Sequence, residues 1–370
     1  MSTETRTTPN TQRVSAVTLK PTGYDATMTS FAQQLVTVDR ERLDLRAGVL
    51  GLVVLAVFGA ANALVGPVAM AAAIGALVVL ATDPPPAGRS WATALLPLVI
   101  GGAVLTYIAV SIGGQAVPAA LLVGVVGTVA TLHGGRSRKA GTRGLIATLW
   151  IILALTLYHT GVGALAYAAA FAIGGAIGAG VALARARKGA TEGTGADDVE
   201  AEAVAEPPTL RALLASPIGQ FAILHGVGLA VAVFLGFTFF PGHPAWLAIS
   251  SLLVMRPPTR NALVVGVQRS LGTGVGVIAA VALASVIGEN TPALVLLFLA
   301  SAFLMMAVRE VNYALFAMFV TAVVVYSQRI LGADAAESGM DRLAETVVGV
   351  AIAFVVLGFT EVLARRRSQA

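Results

Sequence analysis

Apolar positions along this chain gather into long runs, parted by short polar or proline-marked breaks. Residues 1–46 are polar, and the first apolar run begins at 47. Twelve apolar segments follow, at about 47–65, 66–81, 91–112, 115–132, 144–160, 162–184, 218–240, 243–255, 265–287, 291–307, 311–328 and 343–363. A helix needs roughly 20 apolar residues to cross hydrocarbon, and lipid satisfies no open backbone. The pattern therefore predicts an all-α membrane protein with about twelve transmembrane helices. The strict alternation of a β-barrel is missing. Within 47–81 only Asn62 and Gly66-Pro67 mark a break between two segments.

The longest internal polar stretch, 185–217, is acidic and carries Gly and Pro, so it reads as a cytoplasmic linker. It divides the chain into a polar tail (1–46), a six-helix half (47–184), the linker (185–217), a second six-helix half (218–363) and a basic tail (364–370). The halves share landmarks, which predicts an internal repeat. Gly66-Pro67 and His243-Pro244 open the second segment of each half. Both segments are short and end in proline clusters, Asp83-Pro84-Pro85-Pro86 and Arg256-Pro257-Pro258. Six helices per half make the two repeats parallel, and short, proline-bounded spans at matched positions point to a transporter's binding site. Pro-Pro as a plain helix stop at an inner loop is the competing account.

Composition agrees with that class. The chain has 370 residues, 57% hydrophobic and only 12% charged, and a mean hydropathy of +0.84. A soluble enzyme, a disordered chain and a nucleic-acid-binding module are excluded. The net charge of +5 records topology. With the N-terminus inside, 22 of the 24 Lys and Arg fall on the cytoplasmic face, leaving Arg329 and Arg342 outside. Both termini are therefore expected in the cytoplasm. No cleavable signal peptide is visible before residue 47. The excess of Arg over Lys fits a GC-rich genome, and a bacterial inner membrane is the expected location. The absence of cysteine removes disulfides, thiol catalysis and thiolate metal sites.

Polar residues inside apolar helices are costly and mark function. They concentrate in the second half. Arg256, Arg260 and Arg269 precede or open the ninth segment, with Thr273 beside Gly272, Gly274 and Gly276. They suit a cationic funnel for an anion, since guanidinium binds carboxylate in a fork. Anchoring at lipid headgroups is the bland alternative, favoured for Arg260 and left open for Arg269. Gly272-x-x-x-Gly276 suits close approach of another helix. Arg309-Glu310 reads as a neutralised polar turn or an inner gate. Arg342 and Glu345, three apart at the outer start of the last segment, share a helix face. They form either a self-neutralising pair or a proton-coupling carboxylate tuned by its arginine. His225 sits mid-segment and suits substrate contact, proton shuttling or packing. No histidine pair has metal-ligand spacing, no cofactor is implied, and no Walker A, H-E-x-x-H or G-x-S-x-G motif occurs, so enzymatic activity is not expected.

Three stretches resemble the fusaric acid resistance-like family of membrane proteins. They are His243-Pro244-Ala245-Trp246 through Arg256-Pro257, Gln268-Arg269-Ser270-Leu271-Gly272-Thr273-Gly274-Val275-Gly276, and Asn312-Tyr313-Ala314-Leu315-Phe316 through Tyr326 with Arg342-Leu343-Ala344-Glu345-Thr346-Val347-Val348-Gly349. The resemblance spans roughly 218–363. It implies a helical transport protein for organic anions, usually an exporter, with Arg269, Thr273, Arg342 and Gly349 as family-pattern positions. Many members carry a sizeable cytoplasmic domain, where this chain has only its short linker. The resulting expectation is a secondary efflux transporter of organic anions such as aromatic carboxylates. Arg256, Arg269, Thr273, Arg309 and His225 would contact substrate, and Glu345 with Arg342 would handle protons. A passive anion channel and a non-transporting scaffold for envelope assembly are the alternatives. Expected partners are a small organic anion and membrane lipid, not nucleic acid; a homo-oligomer stays open.

Overall fold

The computed structural model describes residues 37–80, 91–135, 138–191, 214–255 and 259–368. Twelve α-helices and no strand occur among them. We number them α1 (Leu45–Val65), α2 (Val68–Leu80), α3 (Trp91–Ser111), α4 (Ala116–Gly134), α5 (Arg138–Ala154), α6 (Ala164–Thr191), α7 (Pro217–Phe239), α8 (Ala245–Val254), α9 (Thr259–Ile287), α10 (Thr291–Ala307), α11 (Tyr313–Ile330) and α12 (Ala335–Ser368). Seven of them, α1, α4, α6, α7, α9, α11 and α12, are long and apolar enough to cross a membrane; the other five are apolar but shorter. The molecule is a multi-pass helical membrane protein.

Each helix overlaps one apolar run, and the ends are set by local chemistry that hydropathy does not register. The break within 47–81 falls at Gly66, whose φ of 74° lies in the left-handed region, and its N–H donates to the Asn62 carbonyl at 2.8 Å. α12 begins at Ala335, eight residues before the apolar run. Asp334 caps it there, Oδ1 accepting from Ala336 N and Glu337 N at 2.9 Å each. α9 likewise begins at Thr259 and α6 runs on to Thr191, because helix propensity carries a helix past the apolar core into polar residues. The run read as 144–160 is instead α5 from Arg138 to Ala154, then a separate 3₁₀ turn, Leu157–Thr160.

Close packing follows the glycines. Gly174 faces the Ala72 carbonyl and Gly178 the Ala76 carbonyl, so α6 lies parallel to α2 as small-residue packing requires. Gly349 of α12 faces the Leu247 carbonyl of α8. In the first half α2 packs on α6, α3 on α6, α4 on α5 and α3 on α5. The second half shows α8 on α12, α9 on α12, α10 on α11 and α9 on α11. The halves meet along α4–α7 and along α1–α10. The chain just before α1 is tied to the α10–α11 turn: Asp39 N donates to Val311 O at 3.2 Å, and Asn312 Nδ2 to Thr37 O at 2.9 Å.

The cores of the halves differ in kind. In the first, Trp150, Tyr167 and Phe171 are fully buried, and Trp150 Nε1 donates to Thr106 Oγ1 at 2.8 Å. The second buries two guanidinium groups and a carboxylate.

Candidate functional site

Arg269, Arg342 and Glu345 are each no more than 2% exposed. Arg269 stands ten residues into α9, roughly 15 Å at 1.5 Å per residue, and not at a helix start. Arg342 stands seven residues into α12. Arg342 thus lies within the helix and not ahead of it, because the Asp334 cap starts α12 at Ala335.

Neighbouring helices orient these groups. Gly272 lies against the Ala314 carbonyl and Gly276 against the Met318 carbonyl, which brings α11 parallel to and tight against α9. That approach lets Arg269 Nη1 donate to Tyr313 Oη at 3.1 Å. On the other side Arg269 Nη2 donates to Ser250 Oγ of α8 at 3.1 Å. The short α8 also supplies Trp246, whose ring centroid lies 4.1 Å from the Arg342 guanidinium carbon, a cation–π contact. Arg342 Nη1 stands 3.8 Å from Glu345 Oε2, an ion pair too long to be a hydrogen bond.

The pairing is incomplete. Arg269 Nε, Arg342 Nε and Nη1, Glu345 Oε1 and Thr346 Oγ1 are buried and meet no hydrogen-bond partner among the described residues. Buried polar atoms are normally satisfied, and charges inside a membrane cost a few kcal/mol or more. With all three groups ionised the cluster holds one net positive charge, which suits an anion.

The other expected residues lie elsewhere or nearby. Thr273 is buried one turn beyond Arg269 on α9. His225 is buried on α7, where its Nδ1 meets Thr131 Oγ1 of α4 at 2.8 Å. Arg309 is exposed at the α10–α11 turn and pairs with Glu310 at 3.5 Å. Arg256 lies outside the described residues. No group of three or more His, Asp or Glu that could hold a metal occurs among the described residues.

A comparison with family models matches residues 229–356, the stretch holding α8, α9, α10, α11 and most of α12. The matching model is that of the fusaric acid resistance protein-like family. The family resemblance of the second half is thereby borne out over 229–356. Comparisons with curated proteins and with solved structures give no significant match. The fusaric acid resistance protein-like stretch contains every member of the buried cluster, and the match, with the apolar helices, suggests a membrane transport or resistance role.

Sequence reasoning missed Trp246, Ser250 and Tyr313 as partners of the arginines. Their available signal was position: two of them lie on the short, proline-bounded segment that marks a binding helix. Tyr313→Phe removes the hydroxyl that accepts from Arg269 and keeps the ring. We expect anion affinity to fall about three- to tenfold with folding unchanged, measured by ligand titration of the purified protein.

Proposed function

We propose that the chain is a secondary efflux transporter of organic anions, aromatic carboxylates among them, working in a bacterial inner membrane with both termini in the cytoplasm. The observation that carries this is the buried cluster of Arg269, Arg342 and Glu345 with unsatisfied guanidinium nitrogens. An anion bridging the two arginines would satisfy Nε and Nη donors that meet no hydrogen-bond partner among the described residues. Trp246 adds a flat apolar face for a ring. Two parallel six-helix repeats are part of this reading. The matched pairings support them: adding six to each helix number turns α2–α6 into α8–α12, α3–α6 into α9–α12 and α4–α5 into α10–α11.

Glu345 is the proposed proton carrier. Ionised, it pairs with Arg342 and competes with the substrate. Protonated, it leaves Arg342 to the anion, so proton and anion travel together. Acidifying the substrate-loaded side of proteoliposomes should then accelerate efflux. Glu345→Gln should keep the fast flux and lose its response to pH.

A passive anion conduit is the second reading, because an inside-negative potential alone drives an anion outward by about 2.3 kcal/mol per charge per 100 mV. Clamping the potential separates the two. Proton-accompanied export is electroneutral and insensitive to potential, whereas flux that follows potential and ignores pH would replace the transporter reading with the conduit.

A further inference from the structure

A cavity of about 430 Å³ lies between the two halves, away from the arginine cluster. Its walls come from α4 and α5 of the first half and from α7 and α8 of the second. None of the described residues lining it is charged. Apolar walls are supplied by Phe221, Leu252 and Met255, and the polar groups are Thr131, Thr148 and His225, with Thr142 also present. Ligand sites usually have this volume and this makeup, apolar with a few polar groups that fix orientation.

The polar groups are placed to read one substituent. His225 is 5% exposed and Thr148 is 1% exposed. Thr131 Oγ1 holds His225 Nδ1 at 2.8 Å, which fixes the imidazole plane. Phe221 and His225 stack nearly parallel, with centroids 5.8 Å apart and planes at 28°, giving one wall a flat π surface. The Thr148 hydroxyl donates to Gly144 O at 2.8 Å and keeps acceptor capacity for a donor from a ligand.

We propose that this cavity is a second binding site, for an uncharged, flat, ring-bearing molecule with a single hydroxyl or carbonyl group. Charge decides the class. Among the described residues that line it an anion would meet no cation, and burying an unpaired carboxylate costs far more than burying a hydrogen-bonded hydroxyl. The two sites thus have opposite preferences: the arginine cluster takes the anion and the seam between the halves takes the neutral ring compound. The seam site does not depend on the transport reading, because it is built from different side chains.

The chain has no cysteine, so a single introduced thiol reports on the cavity alone. Full-length Leu145→Cys protein in lipid nanodiscs is labelled with N-ethylmaleimide in the presence of 1-naphthol or of its carboxylate counterpart, 1-naphthoate. We expect 1-naphthol to slow labelling at least about tenfold and saturably, and 1-naphthoate to leave it unchanged. Filling the mouth with Thr142→Phe should abolish protection. His225→Phe should weaken it about tenfold, the size of one lost hydrogen bond. Should His225→Phe fail to fold, Thr148→Val, which is isosteric, tests the same claim. Adding Arg269→Gln should leave protection intact. Equal protection by both compounds, protection that survives Thr142→Phe, or none at the solubility limit overturns the proposal. So does mass spectrometry showing a phospholipid that 1-naphthol does not displace.

Discussion

Arg269→Gln is expected to cut organic-anion efflux from proteoliposomes about 10- to 100-fold, with the yield of folded protein unchanged. The range follows from losing charge-assisted hydrogen bonds in a water-poor site. Arg269 is the cationic member without a carboxylate partner, since Glu345 pairs with Arg342. Removing its charge leaves one guanidinium and one carboxylate, which neutralise each other, and the net positive charge that attracts an anion disappears. Glutamine is long enough to meet Tyr313 Oη or Ser250 Oγ, so the helix contacts around it survive. Arg269→Lys should rescue only partly, because an ammonium cannot hold Tyr313, Ser250 and a substrate in one planar fork. Unchanged flux in Arg269→Gln, with the variant monodisperse and helical, would remove this residue from the mechanism and the proposed site with it.

Much of this layout is legible in the sequence, because a membrane forces helices to be apolar and leaves each buried charge conspicuous. Each apolar run overlaps one helix, and even the weakly marked break at Gly66 is present. Arg269, Arg342 and Glu345 stand out as charges in apolar surroundings. Depth is what the sequence conceals. Arg342 reads as an interfacial residue because six of the seven residues from Ala335 to Asp341 are polar or small; only the Asp334 cap shows that they are already helix. Partnership across the fold is hidden too. Nothing in the order of residues places Ser250 and Tyr313 on either side of one guanidinium, because that depends on which helices touch. His225 illustrates the converse: a mid-helix histidine resembles the arginines in its isolation, yet it faces α4 and belongs to the seam between the halves.

The contact that holds the site together gives the second large effect. Gly349→Ala is expected to destabilise the protein by about 1–3 kcal/mol, while Gly358→Ala on the same helix is neutral or slightly stabilising. A methyl group at Gly349 would sit 2.6 Å from Leu247 O, 2.8 Å from Ser250 Cβ and 3.2 Å from Ser251 N. Two of those contacts are backbone atoms of α8 and cannot rotate away. At Gly358 nothing lies within 4 Å, so the same methyl meets only open space and improves helix propensity. Thermal unfolding followed by circular dichroism in detergent separates the pair. The functional consequence should exceed the loss of stability. Pushing α8 off α12 stretches the Ser251 Oγ–Gly349 O bond of 2.8 Å. It also displaces Ser250 from Arg269 and Trp246 from Arg342 together. Gly349→Ala protein that remains folded at the assay temperature should therefore still lose anion affinity, whereas Gly358→Ala retains it. Equal unfolding temperatures for the two variants would show that α8 can shift without cost. The glycine would then be dispensable, and the arginines would owe their positions to α9 and α11 alone.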